Sequence, residues 1–347
     1  MKIALICPSN MMYMPYIDNY IKILQESNCN YDIILWDRFH LDSAENKYQY
    51  RDSKIGHKRN YFDYLKYKHF IKEKLTETKY ERIIVFGLQI SYFLYRDLIN
   101  NYSEKYIIDI RDYNRISKFC NLKKLIEHSS FTVISSLGYK KWLPESNKLV
   151  LNHNTNLESV NLINEFQLNL TKNEINIAYI GALRDYNINI NFINALKNSK
   201  NFRLEYHGHG EINNDLINHL EKYNIKNVFL TGKYLREEEP SLYLKSSLVN
   251  ALIPNNDINS KTLMPNRFYN AAIYGKPVIC YSGSFLAEQV KKYSLGLVIQ
   301  SFGTLEIKIR EYLNNFNQAD YESGRKLFLN EAINDNRNFK HKLEEFI

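Results

Sequence analysis

Short apolar runs, separated by longer stretches of helical period, recur along the whole chain. In the first 150 residues they are KIALIC (2–7), YDIILW (31–36), RIIVFG (82–87), KYIIDI (105–110) and FTVISS (131–136). They are continuously apolar rather than alternating, which is the pattern of strands covered on both faces, so they predict a parallel sheet with helices on either side. An Asn-rich polar stretch at 158–174 reads as a linker. The rhythm then restarts with INIAYIG (175–181), FRLEYHG (202–208), NVFLTG (227–232), SLVNALI (247–253), KPVICY (276–281) and LGLVIQ (295–300), and from about residue 304 the chain is charged and helical. The predicted organisation is an α/β protein of two doubly wound Rossmann-like domains, residues 1–160 and 174–330, facing a cleft. A C-terminal helix, 331–347, could return to the first domain.

Glycine is scarce, at 12 in 347, so each position carries information. Gly87, Gly181, Gly208 and Gly232 stand directly at predicted strand ends, and the carboxyl edge of an open parallel sheet is where ligands bind. With 44% hydrophobic and 24% charged residues the composition is globular, which excludes disorder and disulfide scaffolds. The apolar run at the N-terminus has six residues before Pro8, too few for a signal sequence or a membrane span, so a soluble cytoplasmic protein is expected. Cys7, Cys29, Cys120 and Cys280 are scattered without ligand spacing and read as reduced.

The richest segment is MPNRFYNAAIYGKPVICY (264–281). Pro265 suits the first turn of a helix and Gly275 its C-terminal stop before the next strand. Such a helix turns free N–H groups and its positive dipole end toward the sheet edge, and Asn266 and Arg267 add side-chain donors, a combination suited to a pyrophosphate.

PNRFYNAAIYGKPVI, followed by SFLAEQVKKYSLGLVI (284–299), resembles the nucleotide-sugar half of bacterial B-type-fold glycosyltransferases, in particular the capsule and exopolysaccharide enzymes near family 4. YIGALRD (179–185), YHGHGE (206–211) and FLTGKY (229–234) are similar to the glycine turns of that half. ILWDRF (34–39), IIDIRDY (107–113), VISSLGYKKWL (133–143) and LVLNHNTN (149–156) are similar to strand ends of the acceptor half. The resemblance implies that Gly181, Arg184, Gly208, Pro265, Asn266 and Arg267 surround the donor diphosphate, and that Gly232, Lys233 and Tyr234 meet the base. Two acidic positions of the family fall at Asn270, where the ribose hydroxyls would bind, and at Thr262; here both are neutral. Glu288, in a loop after the GKPVI strand, would lie near the donor or cap a helix.

The implied reaction moves a sugar from a nucleoside-diphosphate sugar, with a UDP-sugar favoured, to a glycan or lipid-diphosphate-linked acceptor in surface polysaccharide synthesis. Negative charge develops on the leaving phosphate, so fixed cations and backbone donors would lower the barrier most. No Asp-x-Asp occurs, so a metal-independent enzyme with no cofactor is expected, with Arg184 and Arg267 in place of a divalent ion. His207 and His209 flank Gly208 without a third ligand, and no metal site is expected there. Retention is favoured, in which case the departing phosphate can take the acceptor proton. Inversion would need a base, for which Asp112 is the leading candidate, with His40 and Arg111 on the acceptor side.

The net charge of +8 is mostly an N-terminal property: residues 1–160 hold 24 Lys+Arg against 18 Asp+Glu. Residues 47–79 carry ten basic and four acidic side chains interleaved with Tyr and Phe, a surface suited to an anionic membrane. Two alternatives stand beside the transferase. One is a catalytically silent homologue acting as a binding subunit. The other is a nucleic-acid binder, disfavoured because no helix-turn-helix, zinc-finger or RNP signature is present. A sugar-nucleotide epimerase shares the architecture, but its acid and histidine pattern is not seen.

Overall fold

The computed structural model describes residues 1–41, 47–159, 161, 163, 174–197 and 199–347. Most of the Asn-rich stretch, namely 160, 162 and 164–173, lies outside the described residues. The chain divides into two compact units, Met1–His153 with Asn334–Ile347, and Asn154–Ile333.

In the first unit the described strands are β1 (Lys2–Cys7), β2 (Asn30–Trp36), β3 (Lys47–Tyr50), β4 (Arg82–Phe86), β5 (Tyr106–Ile110), β6 (Phe131–Ile134) and β7 (Leu149–Leu151). They form one all-parallel sheet in the order β3-β2-β1-β4-β5-β6-β7. The central strands are the continuous apolar runs because helices cover both faces. Ile3, Leu5, Ile84 and Ile107 pack with Tyr20 and Leu24 of the helix Ile17–Glu26, and also with Phe339, Leu343 and Phe346 from the end of the chain. The edge strands β3 and β7 are missing from the apolar-run reading. KYQY and LVL are short, and β3 spends every second position on a polar side chain, as an edge strand does.

The second unit holds β8 (Ile175–Ile180), β9 (Phe202–His207), β10 (Val228–Gly232), β11 (Leu248–Asn250), β12 (Val278–Tyr281) and β13 (Gly296–Ile299). They form a parallel sheet in the order β10-β9-β8-β11-β12-β13. Strand order reverses between β8 and β11, which opens a crevice at their carboxyl ends. One face packs against the helices Tyr186–Leu196 and Leu305–Asn314 through residues such as Phe192, Ile193 and Ile309. The other packs against Tyr243, Phe268, Ala272, Val290 and Phe328.

The helix Asn266–Ile273 that follows this crevice has a defined start and stop. Pro265 is its N-cap rather than its first residue. At the other end Gly275 adopts φ 65°, its N–H bonds to Ala272 O at 3.3 Å, and Lys276 N–H bonds to Ala271 O at 2.8 Å. This pair of bonds is a Schellman stop, and it hands the chain directly to β12. The helix Gln318–Phe346 begins in the second unit and ends in the first.

The glycine turns are held by close backbone approach. A Cβ on Gly208, at φ 129°, would stand 2.0 Å from Gly181 O, and the obstacle is backbone that cannot rotate away. Overpacking costs about 1–3 kcal/mol where neighbours can shift, and more where they cannot. Gly208→Ala therefore lowers the thermal midpoint of unfolding by several degrees; a midpoint equal to wild type would show that this contact does not constrain the fold.

Candidate functional site

At the carboxyl edge of the second sheet the side chain of Arg267 lies across the point where strand order reverses. Its Nε donates to Ile180 O, at the end of β8, at 3.1 Å, and one Nη donates to Asn250 O, at the end of β11, at 2.7 Å. The guanidinium stands 3.5 Å over the ring of Tyr179, which stacks on Tyr206 with centroids 5.4 Å apart. Tyr179 in turn donates its hydroxyl to Ala182 O at 3.0 Å, which pins the loop after β8. Arg267 has no carboxylate partner and its other Nη has no protein acceptor among the described residues. Two carbonyls and a ring hold the group in place without neutralising it.

The neighbouring predicted residues gather around this point. Gly181 and Gly208 stand at adjacent strand ends, joined through Gly181 N–H to His207 O, and Gly208 N–H bonds to Gly232 O at 2.7 Å. Arg184 is exposed, in the loop between β8 and the helix Tyr186–Leu196, and its guanidinium forms no ion pair among the described residues. Lys233 is exposed beside Gly232, again without an acidic partner among the described residues. Asn266 is exposed at the start of its helix, where the N–H groups of Asn266 and Arg267 have no acceptor among the described residues. Tyr234 is half-buried; burial first, and then the nearby Glu239 charge, push its hydroxyl up to about 12. Desolvation raises the Asp185 carboxyl above its usual range, with Arg184 and Arg267 opposing and Glu211 and Asp257 adding. The edge thus offers three cations and a helix start to an anion.

Three expected donor residues sit differently. Thr262 is 4% exposed and its hydroxyl donates to Ile258 O at 2.7 Å, a bond within its own helix. Glu288 is not in a loop but in the first turn of the helix Phe285–Lys292, exposed, and the cap is Ser284, whose hydroxyl accepts from Ala287 N–H. Asn270 donates its Nδ2 to Glu239 Oε1 at 2.8 Å. Glu239 is hidden in the sequence because REEEP looks like a solvated charge run, and Tyr179 because an aromatic in a buried strand reads as core.

His207 and His209 part company. His209 is exposed, while His207 is buried with its Nδ1 2.8 Å from Thr231 Oγ1 and its Nε2 3.4 Å from Glu205 Oε2. Among the described residues no group of three or more His, Cys, Asp or Glu side chains could hold a metal ion.

In the first unit the corresponding arginine is fully engaged. Arg111 Nε and Nη2 bond to the two oxygens of buried Asp109 at 2.6 and 2.7 Å, and the guanidinium also meets the Asn152 carbonyl and side chain. Tyr20 donates to the same Asp109 at 2.6 Å. Arg111 is held by buried Asp109, so it is a structural ion rather than a free acceptor-side cation. Asp112 itself is exposed. His40 is exposed in the left-handed region at φ 56°, and its Nε2 donates to Asp52 O at 2.9 Å. It therefore clamps a loop, and that nitrogen is not available as a base.

No protein-family model matches the chain, and no curated protein matches it in sequence. Solved structures do match over the full length. Sucrose-phosphate synthase from Thermosynechococcus elongatus is 14% identical with a TM-score of 0.66, covering 100% of this chain and 94% of that one. HepE from Anabaena, solved in complex with UDP and glucose, is 13% identical with a TM-score of 0.68, covering 99% and 100%. The lipopolysaccharide outer core galactosyltransferase WaaB, in its apo form, is 15% identical with a TM-score of 0.67 over 100% of both chains. This is the B-type glycosyltransferase fold. In that fold the crevice over β8 and β11 belongs to the second of two Rossmann-like units.

Glu205 provides a pH-dependent check on this edge of the B-type fold. The His207 ring first, against the opposing cost of desolvation, and then Asn176 and Arg203, hold its carboxyl down at about 2. A depressed carboxyl contributes stability above the unfolded value of 4.5, and the contribution is lost as pH falls toward 2. Glu205→Gln therefore lowers the thermal midpoint at pH 7, and the gap to wild type narrows at pH 3. A gap that is constant with pH would refute this ion cluster.

Proposed function

We propose that the protein is a glycosyltransferase that takes a sugar from a nucleoside diphosphate, with a UDP-sugar favoured, and passes it to a glycan or lipid-diphosphate-linked acceptor in bacterial surface polysaccharide synthesis. The observation that carries this reading is the uncompensated Arg267 guanidinium at the strand-order reversal, flanked by Arg184, Lys233 and the start of the helix Asn266–Ile273. A diphosphate placed there meets fixed cations and backbone donors, which are the groups that stabilise the charge developing on it when the sugar departs. HepE, of the same fold, binds UDP and glucose, which supports a uridine nucleotide as donor. The cations supply a metal-independent route, and retention, with the leaving phosphate taking the acceptor proton, asks for no protein base. The first unit is the acceptor half in this reading.

The reaction is tested by a panel of nucleotide sugars, following release of free nucleoside diphosphate with and without lipid-linked glycans. Release from one donor supports the transferase. Binding without release or transfer supports the silent subunit, a reading favoured by the neutral Thr262 and Asn270. Tighter binding of oligonucleotides than of any nucleoside diphosphate contradicts both. In the same assay Arg267→Ala weakens UDP binding by about 1.5–3 kcal/mol, as for a lost charged hydrogen bond. Unchanged affinity in a variant that retains its circular dichroism would remove Arg267 from the phosphate site.

The basic segment supports a peripheral membrane surface on the first unit, although fewer of its cations are free than a count implies. Arg51, Lys54, Arg59, Lys72 and Lys74 are paired with Asp37, Asp63, Asp52, Asp97 and Glu77. Lys58 and Lys66 are exposed without acidic partners among the described residues, next to exposed Ile55, Tyr61, Phe62 and Leu65 at the start of the helix Tyr61–Glu77. Among the described residues no helix is long and apolar enough to cross a membrane. A surface that combines lysines with apolar and aromatic side chains suits the headgroup region of an anionic bilayer. Lys58→Glu with Lys66→Glu and Phe62→Ala lowers sedimentation with phosphatidylserine vesicles and leaves UDP binding intact; equal sedimentation contradicts the membrane surface.

A further inference from the structure

Beside the proposed phosphate site stands a carboxylate with no cation. Glu239 opens the helix Glu239–Lys245, directly after the Gly232–Tyr234 turn, and is half-buried. It forms no ion pair among the described residues. Its Oε1 accepts from Asn270 Nδ2 at 2.8 Å, and its Oε2 has no protein donor among the described residues. The group is also well anchored. Asn270 lies one turn along the helix that carries Arg267, and the far end of the helix carrying Glu239 is tied to the GKP turn by buried Lys276, whose Nζ donates to Leu244 O at 3.1 Å. The surroundings are aromatic: the Glu239 charge acts on Tyr234, Tyr243 and Tyr274, and Tyr243 stacks on Tyr274 with centroids 5.1 Å apart.

A half-buried carboxylate without a cation costs free energy unless something donates to it. A vicinal diol supplies two O–H donors, which an ionised carboxylate with its several lone pairs accepts far better than an amide with one oxygen. A ribose linking a base near Tyr234 to a diphosphate at Arg267 would present such a diol between the two. The acid is absent from position 270, where the resemblance places it.

We infer that Glu239 is the ribose-binding residue of this protein, its carboxylate accepting the 2′- and 3′-hydroxyls of the donor nucleotide, with Asn270 as the positioning residue that aims it. Asn270 spends its donor on Oε1, fixes the carboxylate plane and leaves Oε2 open. The carboxylate stands on one helix and the amide that supports it on the neighbouring one. This assignment rests on the donor reading above.

The test compares UDP with 2′,3′-dideoxyuridine diphosphate by isothermal titration calorimetry on the full chain. The wild type prefers UDP by about tenfold or more, the scale of a hydrogen bond to a charged group. Glu239→Gln removes most of that preference while leaving affinity for the dideoxy nucleotide within about twofold, a pattern that a merely structural role would not give. Combining Glu239→Gln with Asn270→Asp restores the preference, because a carboxylate again faces the diol. If Glu239→Gln keeps the wild-type preference, the inference is wrong and the donor reading stands. If the wild type binds neither nucleotide, the donor reading is overturned and this inference with it.

Discussion

The second unit is organised around a cation held by groups that cannot cancel it. Arg267 donates hydrogen bonds to the carbonyls that end β8 and β11 and lies over Tyr179. Carbonyl dipoles and an aromatic face orient a guanidinium and offset part of its desolvation, but they leave its charge intact. Everything nearby follows from placing that charge at the strand-order reversal. The Schellman stop at Gly275 fixes the helix that bears it, the stacked tyrosines support it from below, and the close approach of Gly208 to Gly181 brings the glycine turns together beside it.

The first unit shows what the same fold does without that requirement. Its sheet runs in the corresponding order, and it too has an arginine at a strand end, yet Arg111 is locked onto Asp109 with Tyr20 and Asn152 closing the cluster. A buried guanidinium with a bidentate carboxylate is electrically quiet and holds structure together; one without a carboxylate is a site waiting for an anion. The two units therefore share architecture and differ in how the arginine at the strand ends is compensated.

How much of this could be read from the sequence depended on how local each signal was. Central strands were legible because burial on both faces leaves uninterrupted apolar runs, and PNRFYNAAIYGKP announced both its helix and its stop. The edge strand KYQY was not, since an edge strand needs neither length nor a second apolar face, and LVL was marked only by the resemblance of LVLNHNTN to a strand end. At the site the glycine turns and Arg267 were legible as a spaced set. Pairings were not: Arg111 finds Asp109 two residues away, and Asn270 finds Glu239 from another helix, through geometry that only the folded sheet provides. Thr262 and Glu288 were carried by position alone; in the fold the Thr262 hydroxyl bonds within its own helix and Glu288 stands in the first turn of another.

The central claim, a nucleoside diphosphate seated over the β8 and β11 ends, is tested most directly by hydrogen–deuterium exchange of the intact protein with and without UDP. The account predicts added protection in peptides spanning 181–185, 208–210, 232–239 and 266–270, with little change across 106–112. Protection confined to the first unit, or UDP binding that leaves the Arg267 helix unprotected, would contradict it.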